Sequence, residues 1–130
     1  MKNAVIAVGS HYAGKSRTLK KFVKPKLGIG ERELYFRRNG LSGAILVQTF
    51  EEAKRDIEDS MVRYGHYDLL IFAARPEHET PSCLVELKTA LEEFGFHVGT
   101  VTIIKTKTTT DTYYREQAAE ILRQLDNVKP

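Results

Sequence analysis

The pattern with the most chemical content is Gly-x-x-x-x-Gly-Lys-Ser, which residues 9–16 fit at every fixed position. Gly9 and Gly14 let the backbone curl so that successive N–H groups point toward one centre, where an anion can bind. Lys15 supplies a positive charge that can reach phosphate oxygens, and Ser16 supplies a hydroxyl of the kind that coordinates Mg²⁺. The pattern therefore predicts a site for the phosphates of a nucleoside triphosphate.

The surroundings of this pattern strengthen the prediction. A continuous apolar run ends at Val8 and predicts a buried strand, and a helix is predicted to begin near Lys15, so that its positive dipole end faces the anion. We expect Lys15 to act on phosphoryl charge as a catalytic residue and Ser16 to bind the metal. The predicted nucleotide-binding set is Gly9, Ser10, His11, Tyr12, Ala13, Gly14, Lys15, Ser16 and Arg17.

At Gly9, Gly14, Lys15 and Ser16 the chain resembles the P-loop NTPase superfamily, whose Walker A motif has these residues in these places. The resemblance implies ATP or GTP as the ligand and Mg²⁺ as the ion that accompanies it. Because the superfamily includes kinases, GTPases and motor ATPases, the resemblance implies a ligand but no single reaction.

Hydrolases and kinases of that superfamily place an acid at the end of a second buried strand, where it holds Mg²⁺ through water. Neither candidate strand here ends in this way, because one runs into Gln48 and the other into Arg75. Glu51 and Glu52 follow the first strand and Glu77 follows the second. A displaced metal-binding acid and an ordinary capping or solvated role are both open for these residues.

The order of strand, loop, hairpin and helix is similar to the start of Ras-like GTPases, whose glutamine-bearing switch would fall near Gln48. The Asp-x-x-Gly of that family is absent at residues 48–51, and its base-reading Asn/Thr-Lys-x-Asp is approached but not met by residues 106–111. The threonine-rich stretch follows the last predicted strand. It is a candidate for contact with the base, and an ordinary polar loop is the alternative.

Arg75 follows a buried strand at the edge where the ligand crevice of a parallel sheet opens. A guanidinium offers five donors in a fixed fork, which suits a phosphate or a second substrate. We therefore predict Arg75 as a second catalytic residue beside Lys15. A surface ion pair with Glu77 or Glu79 would explain Arg75 equally well.

Strands and helices alternate along the chain. Strands are predicted at residues 3–8, 33–36, 43–48, 68–74 and 97–104, with Asn39 and Gly40 as a hairpin turn. Helices are predicted from Lys15 to just before Pro25, from a Thr49-x-x-Glu52 capping box to Gly65, from Thr80-Pro81 to Gly95, and from a cap at Asp111. Residues 24–32 contain two glycines and a proline and are predicted to form a mobile loop.

This alternation predicts an α/β fold with a mostly parallel sheet of about five strands and helices on both faces, similar to a P-loop NTPase. A length of 130 residues predicts one nucleotide-binding domain over residues 1–130. Ligands of such folds bind at the carboxyl ends of the strands.

Charge is distributed unevenly along the sequence. Residues 1–40 carry ten Lys or Arg against two acids, whereas the remaining residues carry ten against fifteen. The basic part attracts a polyanion, which is either the nucleotide itself or nucleic acid.

The remaining composition excludes several other classes. The apolar runs fall far short of the roughly 20 residues that cross a membrane, and the N-terminus has no signal-peptide pattern, so we expect a cytoplasmic protein without a membrane partner. Cys83 is the only cysteine, which excludes an intramolecular disulfide and a zinc thiolate cluster. We predict Cys83 to be a buried helix residue.

Two functions follow from these observations. The first is an enzyme, either an NTPase with weak Mg²⁺-dependent hydrolysis or a small kinase-like phosphotransferase. The second is a non-hydrolysing module, in which the nucleotide orders the loop at residues 24–32 and so controls a protein or nucleic-acid partner. A protein partner and a homo-oligomer are both compatible with the sequence.

Overall fold

The computed structural model describes residues 2–10, 13–105 and 110–127. Within these residues one sheet contains β1 (Asn3–Val8), β2 (Tyr35–Arg38), β3 (Leu41–Ile45), β4 (Leu69–Ala74) and β5 (His97–Thr102). The order across the sheet is β2-β3-β4-β1-β5, and every neighbouring pair is parallel except the β2–β3 hairpin. The prediction of an α/β fold with five mostly parallel strands is therefore confirmed, and the hairpin makes the sheet mixed.

Helices cover both faces of the sheet. They are α1 (Lys15–Arg17), which continues as a π-helix (Thr18–Val23) and a 3₁₀ turn (Lys24–Leu27), then α2 (Phe50–Ala53), α3 (Ile57–Tyr64), α4 (Leu84–Glu93) and α5 (Asp111–Leu125). Val5 of β1 packs in one core with Leu19 and Ile121, whereas its neighbour Ile6 packs in the other with Met61 and Leu87. The alternation of side chains along β1 thus buries both faces.

The predicted hairpin is present. Asn39 and Gly40 have φ angles of 53° and 79°, so both turn residues adopt the left-handed conformation that a tight two-residue hairpin requires. β2 lies two residues later than predicted, whereas β3 begins two residues and ends three residues earlier than predicted. The shift places Phe36 in the core, where its ring covers Gly43 of the partner strand.

The prediction of a single helix from Thr49 to Gly65 is wrong. Thr49 caps α2 as predicted, with its hydroxyl accepting the Glu52 N–H at 3.1 Å. However, Lys54 turns into the left-handed conformation at φ 52°, and Asp56 starts a second helix by accepting the Asp59 N–H at 3.0 Å. The second cap at Asp56 explains the break.

Residues 24–32 do not form a loop throughout, and the first helix does not end before Pro25. The 3₁₀ turn at Lys24–Leu27 places Pro25 near its first position, where a missing N–H costs little. Lys24 and Leu27 are buried. Burial of the apolar Leu27 side chain stabilises the turn, and the irregular connection is confined to residues 28–34.

The starts of α4 and α5 also differ from the prediction. α4 begins at Leu84 rather than at Thr80-Pro81, with Cys83 as its half-buried N-cap residue. Asp111 is the first residue of α5 and does not cap it, because its carboxylate accepts two hydrogen bonds from Arg17. No helix in the described part of the chain is long and apolar enough to cross a membrane.

Candidate functional site

The loop at residues 9–16 leaves β1 at the centre of the parallel part of the sheet, because β4 and β5 pair with β1 on either side. The Gly9 N–H donates to the Ala74 carbonyl at 3.2 Å, which ties the start of the loop to β4. A Cβ atom at Gly9 would lie 2.8 Å from the Ile103 carbonyl oxygen. Glycine is therefore required here by the close approach of the segment that follows β5.

Gly14 is constrained by both conformation and space. Its φ is 99°, and a Cβ atom would lie 2.5 Å from a ring carbon of Tyr114. The hydroxyl and the N–H of Thr18 both donate to the Gly14 carbonyl, at 2.8 and 2.9 Å, which fixes the first turn of the helix behind the loop. His11 and Tyr12, also predicted to bind the nucleotide, lie outside the described residues.

Lys15 is turned inward over its own loop. Its side chain is 6% exposed, and Nζ donates to the carbonyl oxygens of Gly9 at 2.6 Å and Ser10 at 2.7 Å. Burial lowers the pKa of Lys15, whereas the negative charges of Glu52 and Glu79 act in the opposite direction. The ammonium is thus a desolvated donor held at the head of the loop.

The loop opens onto a cleft of about 710 Å³, a size typical of small-molecule sites. Ala13, Gly14 and Ser16 line it, and Ser16 is exposed there. The cationic side chains along its walls are Lys15, Arg17, Lys20, Lys24, Arg32, Arg55 and Lys105, against the carboxylates of Glu31 and Glu52. A cleft with this surplus of positive charge favours a polyanionic ligand.

The two acids after β3 have different roles. The carboxylate of Glu51 accepts the N–H groups of Arg75, at 3.1 Å, and Cys83, at 2.8 Å, so it joins the end of β4 to the start of α4. Burial and the charge of Glu51 raise the pKa of the Cys83 thiol to about 12. Glu52 instead lines the cleft, beside the exposed Gln48.

Arg17 and Arg75 take different positions around the loop. Arg17 lines the cleft and forms an ion pair with Asp111 at 2.7 Å, with both side chains about half exposed. Arg75 is not one of the described residues that line the cleft. Its positive charge is nevertheless close enough to help lower the pKa of Lys15. No ion pair joins Arg75 to Glu77 or Glu79 in the described part of the chain.

Several cleft residues carried little signal in the sequence. Lys24 is almost fully buried, and its Nζ donates to the Glu31 carbonyl at 2.7 Å. Burial and the nearby charge of Lys20 lower the pKa of Lys24. Arg55 enters the cleft from beyond α2, and its Nε has no hydrogen-bond partner among the described residues. Lys20 and Lys24 belong to the excess of basic residues in positions 1–40, whereas no pattern in the sequence indicated a role for Arg55.

The predicted contacts with the nucleotide base lie outside the described residues. The threonines at 106–109, candidates for contact with the base, are among the residues that the structure does not describe.

Over residues 2–10, 13–105 and 110–127, no group of three or more His, Cys, Asp or Glu side chains is arranged to hold a metal ion. The chain matches no protein-family model, no curated protein and no solved structure.

Proposed function

We propose that this chain is a P-loop NTPase-like domain that binds ATP or GTP, with the phosphates in the cleft at residues 9–16. The observation that carries the proposal is the buried ammonium of Lys15, whose Nζ lies 2.6 Å from the Gly9 carbonyl and 2.7 Å from the Ser10 carbonyl. Phosphate oxygens would replace these neutral acceptors with charged ones. The ammonium would then keep its hydrogen bonds and gain the attraction between opposite charges in a partly desolvated site.

The charge of the cleft supports a triphosphate over a smaller anion. Among the described residues, seven cationic side chains line the cleft against two carboxylates, and Lys20, Lys24 and Arg55 lie beyond the loop itself. A single phosphate would contact only the loop and Lys15. A chain of three phosphates would extend along the cleft toward the outer cations.

Mg²⁺ bound to the nucleotide fits the donors of this chain. Ser16 offers a hydroxyl in the cleft, and Glu52 is the carboxylate there whose charge acts most strongly on Lys15. Mg²⁺ typically takes one or two carboxylates together with phosphates and water. Bound Mg²⁺ would neutralise phosphate charge, and we assign Ser16 and Glu52 as the ligands that the protein would supply to it.

We expect weak hydrolysis of the nucleotide. Attack by a water oxygen on the γ-phosphorus breaks the bond to the β–γ bridging oxygen, and the product diphosphate takes the charge. Lys15 and Arg55 can stabilise that charge from the cleft, and Arg75 from beside it. Glu51 is occupied by two backbone N–H groups, so turnover relies on Glu52 or on the γ-phosphate itself to accept the proton.

A non-hydrolysing regulatory module is the second candidate, and the loop at residues 28–34 favours it. Glu31 joins this loop to the helix through its carbonyl, which accepts from Lys24, and through its carboxylate, which pairs with Lys21. Arg32 and Leu34 of the same loop line the cleft. A triphosphate that attracts Lys24 would release Glu31 and change the surface that a partner meets.

Calorimetry of the full chain against ATP and GTP, with Mg²⁺ and with a chelator, tests the proposal. Lys15→Met should weaken binding about a hundredfold, because roughly 3 kcal/mol of charged hydrogen bonding is lost. Lys26→Met is the matched control, since Lys26 is exposed in the 3₁₀ turn and does not line the cleft. This control should bind normally.

Phosphate release measured on the same samples separates the two candidates. Turnover that is lost in Lys15→Met supports the enzyme, and tight binding without turnover supports the module. Unchanged affinity of Lys15→Met, or no binding of either nucleotide, would refute the proposed site.

A further inference from the structure

Three aromatic side chains form a row near the β2 edge of the sheet. The Tyr35 ring of β2 stacks on the Tyr67 ring, with centroids 5.6 Å apart and planes inclined by 22°. The His66 ring lies against the Tyr67 ring, with centroids 4.4 Å apart. Tyr67 is partly buried against the core, whereas Tyr35 is 50% exposed. The Tyr35 end of the row therefore offers aromatic surface to solvent.

The place of Tyr35 in the sheet explains this exposure. Phe36 is buried in the core on one face of the sheet, so its neighbours Tyr35 and Arg37 lie on the opposite face. β2 is an edge strand of the described sheet, so no strand of that sheet flanks Tyr35 on its outer side. An aromatic ring and a cation thus lie on one face at an open edge, about 7 Å apart along the strand.

The two neighbouring arginines of β2 differ in their partners. Arg38 donates twice to the Asp126 carboxylate, at 2.7 and 2.8 Å, and so joins the hairpin to the end of α5. Arg37 is exposed and donates to the Gly40 carbonyl at 3.0 Å, and among the described residues it pairs with no carboxylate. A guanidinium carries five N–H donors, so Arg37 keeps its charge and most of its donors for a ligand.

Backbone contacts hold this row of rings in place. The Asp68 N–H donates to the Ser42 carbonyl at 3.0 Å, and the Ser42 N–H donates to the Asp68 carboxylate at 3.2 Å. Because Ser42 is opposite Arg37 in the hairpin, these contacts join the segment at 66–68 to the strands that carry Tyr35 and Arg37. A surface that is ordered before its ligand arrives reduces the cost of binding.

An exposed ring beside an unpaired guanidinium provides the two contacts that single-stranded nucleic acid takes. Its bases stack on aromatic rings with little regard to sequence, and its phosphates accept charged hydrogen bonds from arginine. A duplex keeps its bases stacked inside the helix, where Tyr35 could not reach them. We infer that Tyr35 and Arg37, supported by Tyr67 and His66, form a binding surface for single-stranded DNA or RNA. This surface is separate from the proposed nucleotide site, since none of these four described residues lines the cleft.

Fluorescence anisotropy of the full chain tests this surface. The ligands are a labelled single-stranded DNA, an RNA of the same sequence and the DNA duplex, each measured over a range of salt concentrations. Tyr35→Ser removes the ring, Tyr35→Phe keeps it, and Arg37→Gln removes the charge. The matched controls are Val85→Ser, at a site that is 48% exposed, and Lys88→Gln. Both controls lie on α4, which packs against β5 at the other edge of the sheet.

We expect the single strands to bind more tightly than the duplex. Tyr35→Ser should weaken their binding about tenfold, whereas Tyr35→Phe and Val85→Ser should stay within about twofold of the wild type. Arg37→Gln should reduce the slope of log affinity against log salt by about 0.7, the value for one phosphate contact on a single strand. Lys88→Gln should leave that slope unchanged.

Three outcomes would overturn this inference: no binding of either single strand at low salt, equal binding of the duplex, or equal losses in Tyr35→Ser and Val85→Ser. Lys15→Met, which disables the proposed nucleotide site, should bind the single strands as the wild type does. If Lys15→Met loses the strands and Tyr35→Ser keeps them, the nucleic acid lies in the cleft and the inference is equally wrong.

Discussion

At the scale of single residues, the 9–16 loop shows how two glycines serve different constraints. Gly9 is fixed by the Ile103 carbonyl, whereas Gly14 combines a left-handed backbone with direct contact to the Tyr114 ring. Both constraints depend on residues about a hundred positions away in the chain. The glycine pattern was visible in the sequence, but the partners that require it were not.

Gly14→Ala should be more destabilising than an ordinary left-handed glycine substitution. The comparison is Gly28→Ala, because Gly28 has a φ of 77° and no atom near the position of a Cβ. Backbone strain alone should cost Gly28→Ala about 1 kcal/mol, and overlap with Tyr114 should add about 1–3 kcal/mol for Gly14→Ala. Urea unfolding measures both, and equal losses would contradict the contact with Tyr114.

The burial of Lys24 predicts that the stability of the folded chain depends on pH. Burial lowers its pKa in the folded state below 10.5, so the folded chain loses the proton at a lower pH than the unfolded chain. The cost of burying the charged Lys24 ammonium therefore has its full value below the folded pKa. This cost falls as the pH rises from that value toward 10.5. The wild type should therefore gain stability relative to Lys24→Met over this range, by about 1.4 kcal/mol for each pH unit between the two pKa values.

Denaturant unfolding of both proteins at several alkaline pH values checks this linkage. Lys26→Met removes the same charge at an exposed position two residues away, and it supplies the baseline for the loss of one cation. A wild-type stability that stays constant or falls relative to Lys24→Met as pH rises would contradict the desolvation of the Lys24 ammonium.

At the scale of elements, Glu51 connects three pieces of structure. It lies on α2, and its carboxylate accepts N–H groups at the end of β4 and at the cap of α4. The loop between these two elements also carries Glu79, which binds Ser10 of the 9–16 loop. Glu51, which follows β3 in the sequence, therefore helps to shape the rim of the site.

Glu51→Gln should destabilise the chain by about 1–2 kcal/mol, because a neutral amide accepts these hydrogen bonds less strongly. It should also lower the pKa of Cys83 from about 12, since Glu51 contributes to that value after burial. A thiol reagent at fixed alkaline pH should then react faster with Cys83. Glu58→Gln, on the exposed face of α3, is the control, and equal reaction rates in the two variants would contradict this role.

At the scale of the whole molecule, sequence patterns predicted the elements better than their arrangement. The uninterrupted apolar runs of β1 and β4 predicted strands buried on both faces. Gly14, Lys15 and Ser16, where the sequence predicts a phosphate site, line a cleft. The break at Lys54 depends on a second cap, and the start of α4 depends on Glu51, which is distant in sequence. The placement of β4 between β1 and β3 is a property of the tertiary fold that no local pattern encodes.

The charge asymmetry of the sequence has a location in the fold. Of the seven cations that line the cleft in the described part of the chain, five come from the basic first 40 residues: Lys15, Arg17, Lys20, Lys24 and Arg32. Much of the positive excess is therefore gathered around one concave site, and Arg55 and Lys105 extend it from later elements. This arrangement favours a compact polyanion over an extended nucleic-acid strand as the ligand.

Thermal unfolding should report this ligand through the stability of the whole domain. At a hundred times its Kd, a triphosphate with Mg²⁺ should add about 2.7 kcal/mol, which raises the Tm by on the order of 10 °C. The same nucleoside without phosphates should give no shift, because it lacks the charge that the cleft attracts. High salt should reduce the shift by screening that charge. At the same ligand concentration the hundredfold weaker Lys15→Met should keep only about 0.4 kcal/mol of this stabilisation, whereas Lys26→Met should retain all of it. An equal shift in both variants would place the ligand elsewhere on the molecule.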